Sequence, residues 1–283
     1  MNIDIVLRSK FLPIVPVLGL VFGLTACSSE PLASPDSEAS EEEADSTVEE
    51  TPSSDPDVPT DEDLETFVAA IASQSVSDLE AAEELVVEGS PAADYLTYYL
   101  HLRNASIDSG AQAPGASSVD SIDDGFELCA SEGGESFCTT YTDFQGKDGL
   151  ISDFLVQDRD LAERLVVGDG ERVEGPDGSE VEFVAAYRNA DDSHLIYAYT
   201  VHSGSEPMYM PEVSYRNPDG RQTNPEYTDG AWELSPESYS SYAAWLPAGE
   251  LGGEATVELW PEDGQPVSVT IEVPAPERKG DAV

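Results

Sequence analysis

Apolar residues recur with a helical period at the point where the acidic N-terminal part of the chain ends. Leu64, Phe67, Val68 and Ile71 lie at positions i, i+3, i+4 and i+7, which places them on one face of a helix. Thr60 precedes this stripe and is a suitable N-cap residue. The pattern predicts a first amphipathic helix that begins directly after Thr60.

Capping signals predict two more helices. Ser77 and Glu80 fit the S-x-x-E capping box, so we expect a second helix that starts there and runs to Glu88. Gly89-Ser90-Pro91 then supplies a C′ glycine, an N-cap and a proline at the first helical position. These signals predict a third helix that ends near Arg103.

The third predicted helix has an aromatic and aliphatic face. Tyr95, Leu96, Tyr99 and Leu100 recur at helical spacing on that face. This spacing favours packing into a hydrophobic core. A ligand pocket lined by the same side chains is the alternative.

A β-hairpin with a disulfide is predicted around Gly133-Gly134, because this dipeptide tolerates the positive φ angles of tight hairpin turns. A turn at that place puts Cys129 opposite Cys138 in a non-hydrogen-bonded pair, whose Cα atoms lie about 4.5 Å apart, within reach of a disulfide. The same register pairs Phe126 with Tyr141 and Leu128 with Thr139 on the other face. A redox-active pair is disfavoured, since the spacing is not C-x-x-C and no cation is nearby to lower a thiol pKa.

The hairpin belongs to a small α+β domain that we expect over residues 62–160. The turn at residues 146–149 leads to a third strand, with alternating polarity over residues 150–157. Three helices followed by a β-meander resemble a shortened NTF2-like domain, and this resemblance rests on the order of the elements.

From residue 161 to residue 275 the hydrophobic period is two, which predicts about seven short strands and an antiparallel β-sandwich. Turn signals such as Asn217-Pro-Asp-Gly220 and Glu262-Asp-Gly264 separate the strands. The predicted strands include residues 181–187, 195–201, 213–215, 239–245, 257–259 and 267–273.

This part of the chain resembles the immunoglobulin-like, telokin-like sandwiches of exported bacterial lipoproteins. The matching features are a strand that ends at Asn189, a strand that ends at Asp219-Gly220, and Leu246-Pro-Ala-Gly249 before an outer strand. The resemblance implies an accessory or interaction module, and the matching residues are turn residues without a catalytic role. Residues 276–283 form a C-terminal tail.

The first 26 residues have the parts of an export signal. Arg8 and Lys10 precede an uncharged apolar stretch over residues 11–23, which is shorter than the ~20 residues of a membrane-spanning helix. Leu24-Thr25-Ala26-Cys27 follows and resembles the lipobox of bacterial lipoproteins. The resemblance implies that Cys27 is lipidated, becomes the mature N-terminus and holds the protein at the extracytoplasmic face of the cell membrane.

Residues 27–61 form an acidic tether in this prediction. No Lys or Arg occurs from Ser28 to Asp63, and the segment has almost no apolar residues to bury, so we expect a disordered spacer. A calcium site at Asp55-Pro-Asp57 or Asp61-Glu-Asp63 is the alternative. Neither run has the glycine and the closing glutamate of an EF-hand loop in register.

The whole chain is strongly acidic, with a formal net charge of −46 at pH 7. Only ten basic residues lie beyond residue 63, so the folded part is acidic as well. This charge disfavours binding to nucleic acid or to a bare anionic lipid surface. It suits a high-salt habitat, where the self-repulsion is screened, and it equally suits an ordinary acidic exported protein.

The sequence has no recognisable catalytic motif, such as G-x-S-x-G, H-E-x-x-H or a P-loop. Of its three histidines, His101 lies on the third predicted helix, whereas His194 and His202 flank one predicted strand, about eight residues apart and too distant to share a first ligand shell. His202, Met208 and Met210 are candidate Cu(I) ligands, because soft metals accept thioether and imidazole groups. A half-buried strand or a partner-binding patch explains the same residues.

Together these patterns predict an α+β protein, in which a small domain of three helices and an antiparallel β-meander precedes an immunoglobulin-like antiparallel β-sandwich. We expect a lipid-anchored, non-enzymatic binding or structural module without a cofactor, whose partners are the membrane and an unidentified envelope protein or ligand. A protein that binds a small ligand or a metal is the alternative, and a cell-envelope hydrolase is a more distant one.

Overall fold

The computed structural model describes residues 58–111, 117–132, 135–175, 178–262 and 264–276. The predicted export signal, the lipidation site Cys27 and most of the tether lie outside these residues. In the ranges that the structure describes, no helix has the length and the apolar character needed to cross a bilayer.

Three helices open the described chain: α1 (Asp61–Ser73), α2 (Val76–Ala82) and α3 (Pro91–Asp108). The Thr60 cap of α1 is confirmed. The Thr60 hydroxyl accepts a hydrogen bond from the backbone N–H of Asp63 at 3.2 Å, and the Asp63 carboxylate accepts one from the Thr60 N–H at 3.3 Å. The two residues thus satisfy each other's open donors at the start of the helix.

The predicted ends of the next two helices need correction. The N-cap of α2 is Ser75 rather than Ser77, without a capping bond from its side chain, and a short 3₁₀ turn replaces the helix after Ala82. For α3, Ser90 and Pro91 hold the predicted cap positions, but the helix continues past Arg103. Its last residues contact the sheet described below, so tertiary contacts extend it beyond the local signal.

The first sheet is an antiparallel meander, which we call the meander sheet. The predicted register is confirmed, since Cys129 pairs with Cys138 in a disulfide with a Cα–Cα distance of 4.1 Å, and Phe126 pairs with Tyr141. The predicted turn at residues 133 and 134 lies outside the described residues. The strands are β1 (Ser117–Ile122), β2 (Gly125–Glu132), β3 (Glu135–Lys147), β4 (Leu150–Val156) and β5 (Arg159–Asp160).

Two further antiparallel sheets face each other as in a β-sandwich, and we call them the central sheet and the outer sheet. The central sheet has the order β12-β14-β9-β8-β6, with β7 also paired to β8. Its strands are β6 (Leu165–Val167), β7 (Arg172–Glu174), β8 (Glu180–Arg188), β9 (His194–His202), β12 (Tyr227–Asp229) and β14 (Tyr239–Pro247).

The outer sheet has the order β11-β10-β15-β16, with β13 also paired to β10. The expected fold class is therefore confirmed at the level of helices combined with antiparallel sheets and a sandwich-like region. The strands of the outer sheet are β10 (Met208–Arg216), β11 (Gln222–Thr223), β13 (Glu233–Leu234), β15 (Glu254–Pro261) and β16 (Val267–Glu272).

The central sheet is buried on both faces. Along β9, Tyr197 and Tyr199 point into the core between the two sheets, whereas Ile196 and Ala198 point into a second core shared with the helices and the meander sheet. This second core crosses the expected domain boundary between residues 160 and 161. The α3 residue Tyr95 belongs to it, with its ring centroid 5.8 Å from that of Tyr187, as expected for core packing.

Helix α3 is attached to the central sheet by two polar contacts. The His101 Nε2 lies 3.0 Å from the carbonyl oxygen of Tyr199 and 3.1 Å from that of Tyr242. Both partners are carbonyl oxygens, which can only accept a hydrogen bond, so Nε2 carries a proton and donates the hydrogen bonds. About two helical turns further along α3, the Asp108 carboxylate accepts hydrogen bonds from the Ser240 hydroxyl at 2.8 Å and the Ser241 N–H at 2.9 Å.

Burial lowers the pKa of His101, and this effect outweighs the opposing influence of the two carbonyl contacts and of Glu182 and Asp108. Because the pKa of His101 is lower in the folded than in the unfolded protein, the stability that its neutral imidazole contributes is fully present above the unfolded pKa of about 6.5. This contribution is lost as the pH falls from about 6.5 towards the pKa of His101 in the folded protein.

We expect the substitution His101→Leu to lower the free energy of unfolding at pH 7.5 by about 1–3 kcal/mol, because buried carbonyls lose a donor. The difference between the natural protein and the variant should shrink at pH 5.5, since only the natural protein has this group to protonate. Chemical denaturation at both pH values measures the two effects. A difference that is the same at both values would contradict the assigned role of His101.

Candidate functional site

A concave surface of about 970 Å³ forms a groove at the outer sheet. One wall comes from β10, β15 and β16, and the other comes from the segment between β11 and β13, with Ser109 at the end of α3. Three carboxylates, one thioether and one indole stand out among the groups that line it: Glu212, Asp229, Glu258, Met210 and Trp232.

The segment that presents Trp232 is fixed from the core side. Gly230 has φ of +143°, and a Cβ atom there would lie 2.0 Å from the ring of Tyr242, so only glycine allows this close approach. The Tyr242 hydroxyl donates to the Ala231 carbonyl at 3.0 Å, and the Met210 N–H donates to the Trp232 carbonyl at 2.8 Å. The backbone is thus held while the Trp232 side chain remains 76% exposed.

The solvent face of the outer sheet is organised in cross-strand rows. At one end, Glu233, Tyr209 and Trp260 lie side by side on β13, β10 and β15. Both aromatic side chains are exposed. Past a bulge in β10, Glu212 lies opposite Glu258. Side chains directly opposite each other in an antiparallel pair have Cβ atoms about 4.5–5.5 Å apart, so these two carboxylates are neighbours.

The Glu212–Glu258 pair is a local conflict, because like charges opposite each other destabilise a sheet. Neither carboxylate has an ion-pair partner among the described residues. A second like-charged pair, Glu254 and Glu272, differs in one respect, since Arg216 lies directly across from Glu254. The pair in the groove has no such cation, and no Lys, Arg or His is found among the described residues that line it.

Asp229 adds a third carboxylate to the groove, at the end of β12. Burial raises its pKa above the usual aspartate range. A positive charge nearby favours the ionised form of a carboxyl group and so would oppose this effect of burial.

The candidate Cu(I) ligands have different surroundings. Met208 is 1% exposed and lies in the core between the sheets, while Met210 lines the groove. His202 lies near Glu182, at 3.8 Å between the Nε2 and a carboxylate oxygen, and lines a smaller pocket with Tyr239. The Met208 thioether is therefore not accessible to an ion from solvent, and the three candidate ligands do not line one common pocket.

Within the described residues, one group of three His, Cys, Asp or Glu side chains has its donor atoms close together: Glu127, Cys129 and Cys138. Both sulfur atoms of this group are bonded to each other in the disulfide. They are therefore not thiolates, the form in which cysteine binds a metal.

One hydrogen-bonded row resembles the order of a hydrolase triad, and no motif in the sequence marks it. The Ser193 Oγ lies 2.8 Å from the Nδ1 of His194, whose Nε2 lies 3.2 Å from the Glu226 carboxylate. Ser193 is adjacent to His194 in an exposed turn, and neither lines a described pocket. Acyl transfer needs a cleft with oxyanion donors beside the nucleophile, so we assign this row to holding the β8–β9 turn.

Comparison of the chain with protein families, with curated proteins and with solved structures finds no match.

The double substitution E212Q/E258Q should raise the free energy of unfolding by about 0.5 kcal/mol at low salt, because it removes the repulsion across β10 and β15. The matched substitution E254Q/E272Q changes the net charge equally but also removes the carboxylate that lies directly across from the Arg216 cation, so it should give no gain. Chemical denaturation compares the two variants. The gain from E212Q/E258Q should disappear in ~1 M NaCl, where surface charges are screened.

Equal stabilisation by both double variants would show that only the overall charge matters. In that case the Glu212–Glu258 pair would not be a specific conflict.

Proposed function

We propose that this protein is a non-enzymatic binding module, anchored by a lipid on Cys27 to the extracytoplasmic face of the cell membrane. The observation that supports binding is the groove at the outer sheet, with a fixed backbone, an exposed indole and carboxylates that form no ion pair with any described residue. Sites that bind ligands are concave surfaces of about 300–1,000 Å³ with a few placed polar groups, and the groove falls within that size.

A binding role fits the groove better than catalysis. Its described lining contains no histidine, lysine or cysteine that could act as a base or nucleophile beside the carboxylates. The carboxylates lie on two paired strands and at the end of a third, so the frame is rigid, as recognition requires.

We also propose that the sandwich is immunoglobulin-like. The strand order supports this, because β8, β9, β14 and β12 correspond to strands A, B, E and D of one sheet. In the same way, β10, β15 and β16 correspond to strands C, F and G of the other, and all seven keep the A-to-G order along the chain. The groove then lies on the solvent face of the CFG sheet.

The lipid anchor is supported by the sequence of residues 1–27 alone. A charged start, a short apolar stretch and the lipobox at Cys27 occur in the required order. The acidic segment that follows would hold the folded part away from the bilayer, since like charges extend a spacer.

To test binding, Trp232 is replaced by the photoreactive residue p-benzoylphenylalanine in intact cells that produce the full chain. Tyr239 provides the matched control position, because it is 71% exposed, close to the 76% of Trp232, and lies outside the groove. We expect a defined adduct at position 232, identified by its mass, which is absent at position 239. Lack of an adduct at 232, or identical adducts at both positions, would refute the module proposal.

To test the anchor, Cys27→Ser is compared with the natural chain by cell fractionation. We expect the natural chain to remain with the membranes and to have an acylated first residue, because two acyl chains hold a protein stably to a bilayer. The variant should lose this modification. A variant that is processed and retained like the natural chain would rule out Cys27 as the anchor.

A further inference from the structure

We propose that the groove binds a linear organic cation with two or more ammonium groups, that is, a small oligoamine. This inference deepens the proposed binding function and rests on it. It concerns the chemical class of the ligand in the groove lined by Glu212, Asp229, Glu258 and Trp232.

The first argument is the charge of the groove. Its described lining has three carboxylates and no basic side chain. Glu212 of β10 and Glu258 of β15 lie opposite each other, and like charges in that position are destabilising. The other like-charged pair, Glu254 and Glu272 on β15 and β16, has the cation Arg216 across from Glu254. A cationic group bound between Glu212 and Glu258 would offset their repulsion, so the conflict would be relieved in the bound state.

The second argument is the indole of Trp232. An exposed aromatic face attracts an ammonium group through its quadrupole, and tryptophan is the best of the aromatic residues for this interaction. The adjoining Met210 thioether adds a polarisable apolar surface suited to the methylene segments between amines. An aliphatic chain that has charges at intervals matches this alternation of carboxylate and apolar groups.

The third argument separates an oligoamine from a metal ion. A divalent cation such as Ca²⁺ needs several oxygen ligands around one point. No three carboxylate or histidine donors in the groove lie within 4.8 Å of one another in the described structure. Separate ammonium groups of one ligand can instead reach carboxylates that are spaced apart.

The fourth argument favours a small molecule over a basic peptide. The groove volume of about 970 Å³ is in the range of small-ligand sites. Ser214, Thr256 and Ser268 line the groove beside the carboxylates, and their hydroxyls can accept hydrogen bonds from further N–H groups.

The test is isothermal titration of the purified full-length protein with spermidine at low ionic strength. We expect saturation at one equivalent. E212Q/E258Q should weaken binding at least about tenfold, the loss of a close charge pair. The control E254Q/E272Q should change it less than about twofold, and Trp232→Ala should weaken it about threefold. Circular dichroism verifies that each variant is folded.

Three results would overturn the proposal. Equal losses in the two glutamate variants would mean that spermidine only screens the net charge. Displacement of spermidine by equimolar Ca²⁺ would mean a metal site. Tighter binding of a tri-lysine peptide than of spermidine would mean a peptide site.

Cross-linking from position 232 distinguishes the oligoamine proposal from the proposal that the protein is a binding module. An adduct at 232 together with no spermidine binding would refute the oligoamine and leave the binding module intact. No adduct at 232 would refute the module itself.

Discussion

The structure depends on the attachment of α3 to the central sheet. The Asp108 carboxylate accepts a hydrogen bond from the Ser240 hydroxyl, and the same Ser240 oxygen accepts one from the Ala231 N–H at 3.3 Å. Ser240 is almost fully buried, so its polar atom would be costly without these partners. The chain of contacts runs from the end of the helix to the segment that presents Trp232. The groove wall is therefore fixed by the same interaction that closes the second core.

Burial of the central sheet on both faces explains why the two halves of the chain are not independent. An antiparallel sheet commonly leaves one face to solvent, but here Ile196 and Ala198 need the cover that α3 and its aromatic residues give. Tyr95 and Tyr98 fill this interface, with ring centroids 5.8 and 5.1 Å from Tyr187. Without the helices this face would be a large exposed apolar surface. The solvent face of the outer sheet is left uncovered, and the groove lies on it.

Local signals in the sequence were sufficient to predict two helix caps and the register of the hairpin, because these features depend on residues that are close together in the chain. Thr60 and Ser90 cap helices as predicted, and the register from Gly133-Gly134 correctly paired Cys129 with Cys138. Ser77 failed as a cap because Ser75 begins the helix two residues earlier. The packing of α3 on the sheet had no local signal, since it joins residues about 100 to 130 positions apart, such as His101 with Tyr199 and Asp108 with Ser240.

The groove was not predictable from the sequence for a related physical reason. Glu212 and Glu258 are ordinary solvent-facing glutamates in two separate strands, and only the pairing of β10 with β15, shifted by a bulge after Tyr209, makes them neighbours. In a chain with 58 acidic residues, no single glutamate stands out. What distinguishes this pair is that no described cation lies across from either carboxylate, whereas Arg216 lies across from Glu254. Like charges that face each other without a cation cost some stability, and such departures from local consistency are expected at functional sites.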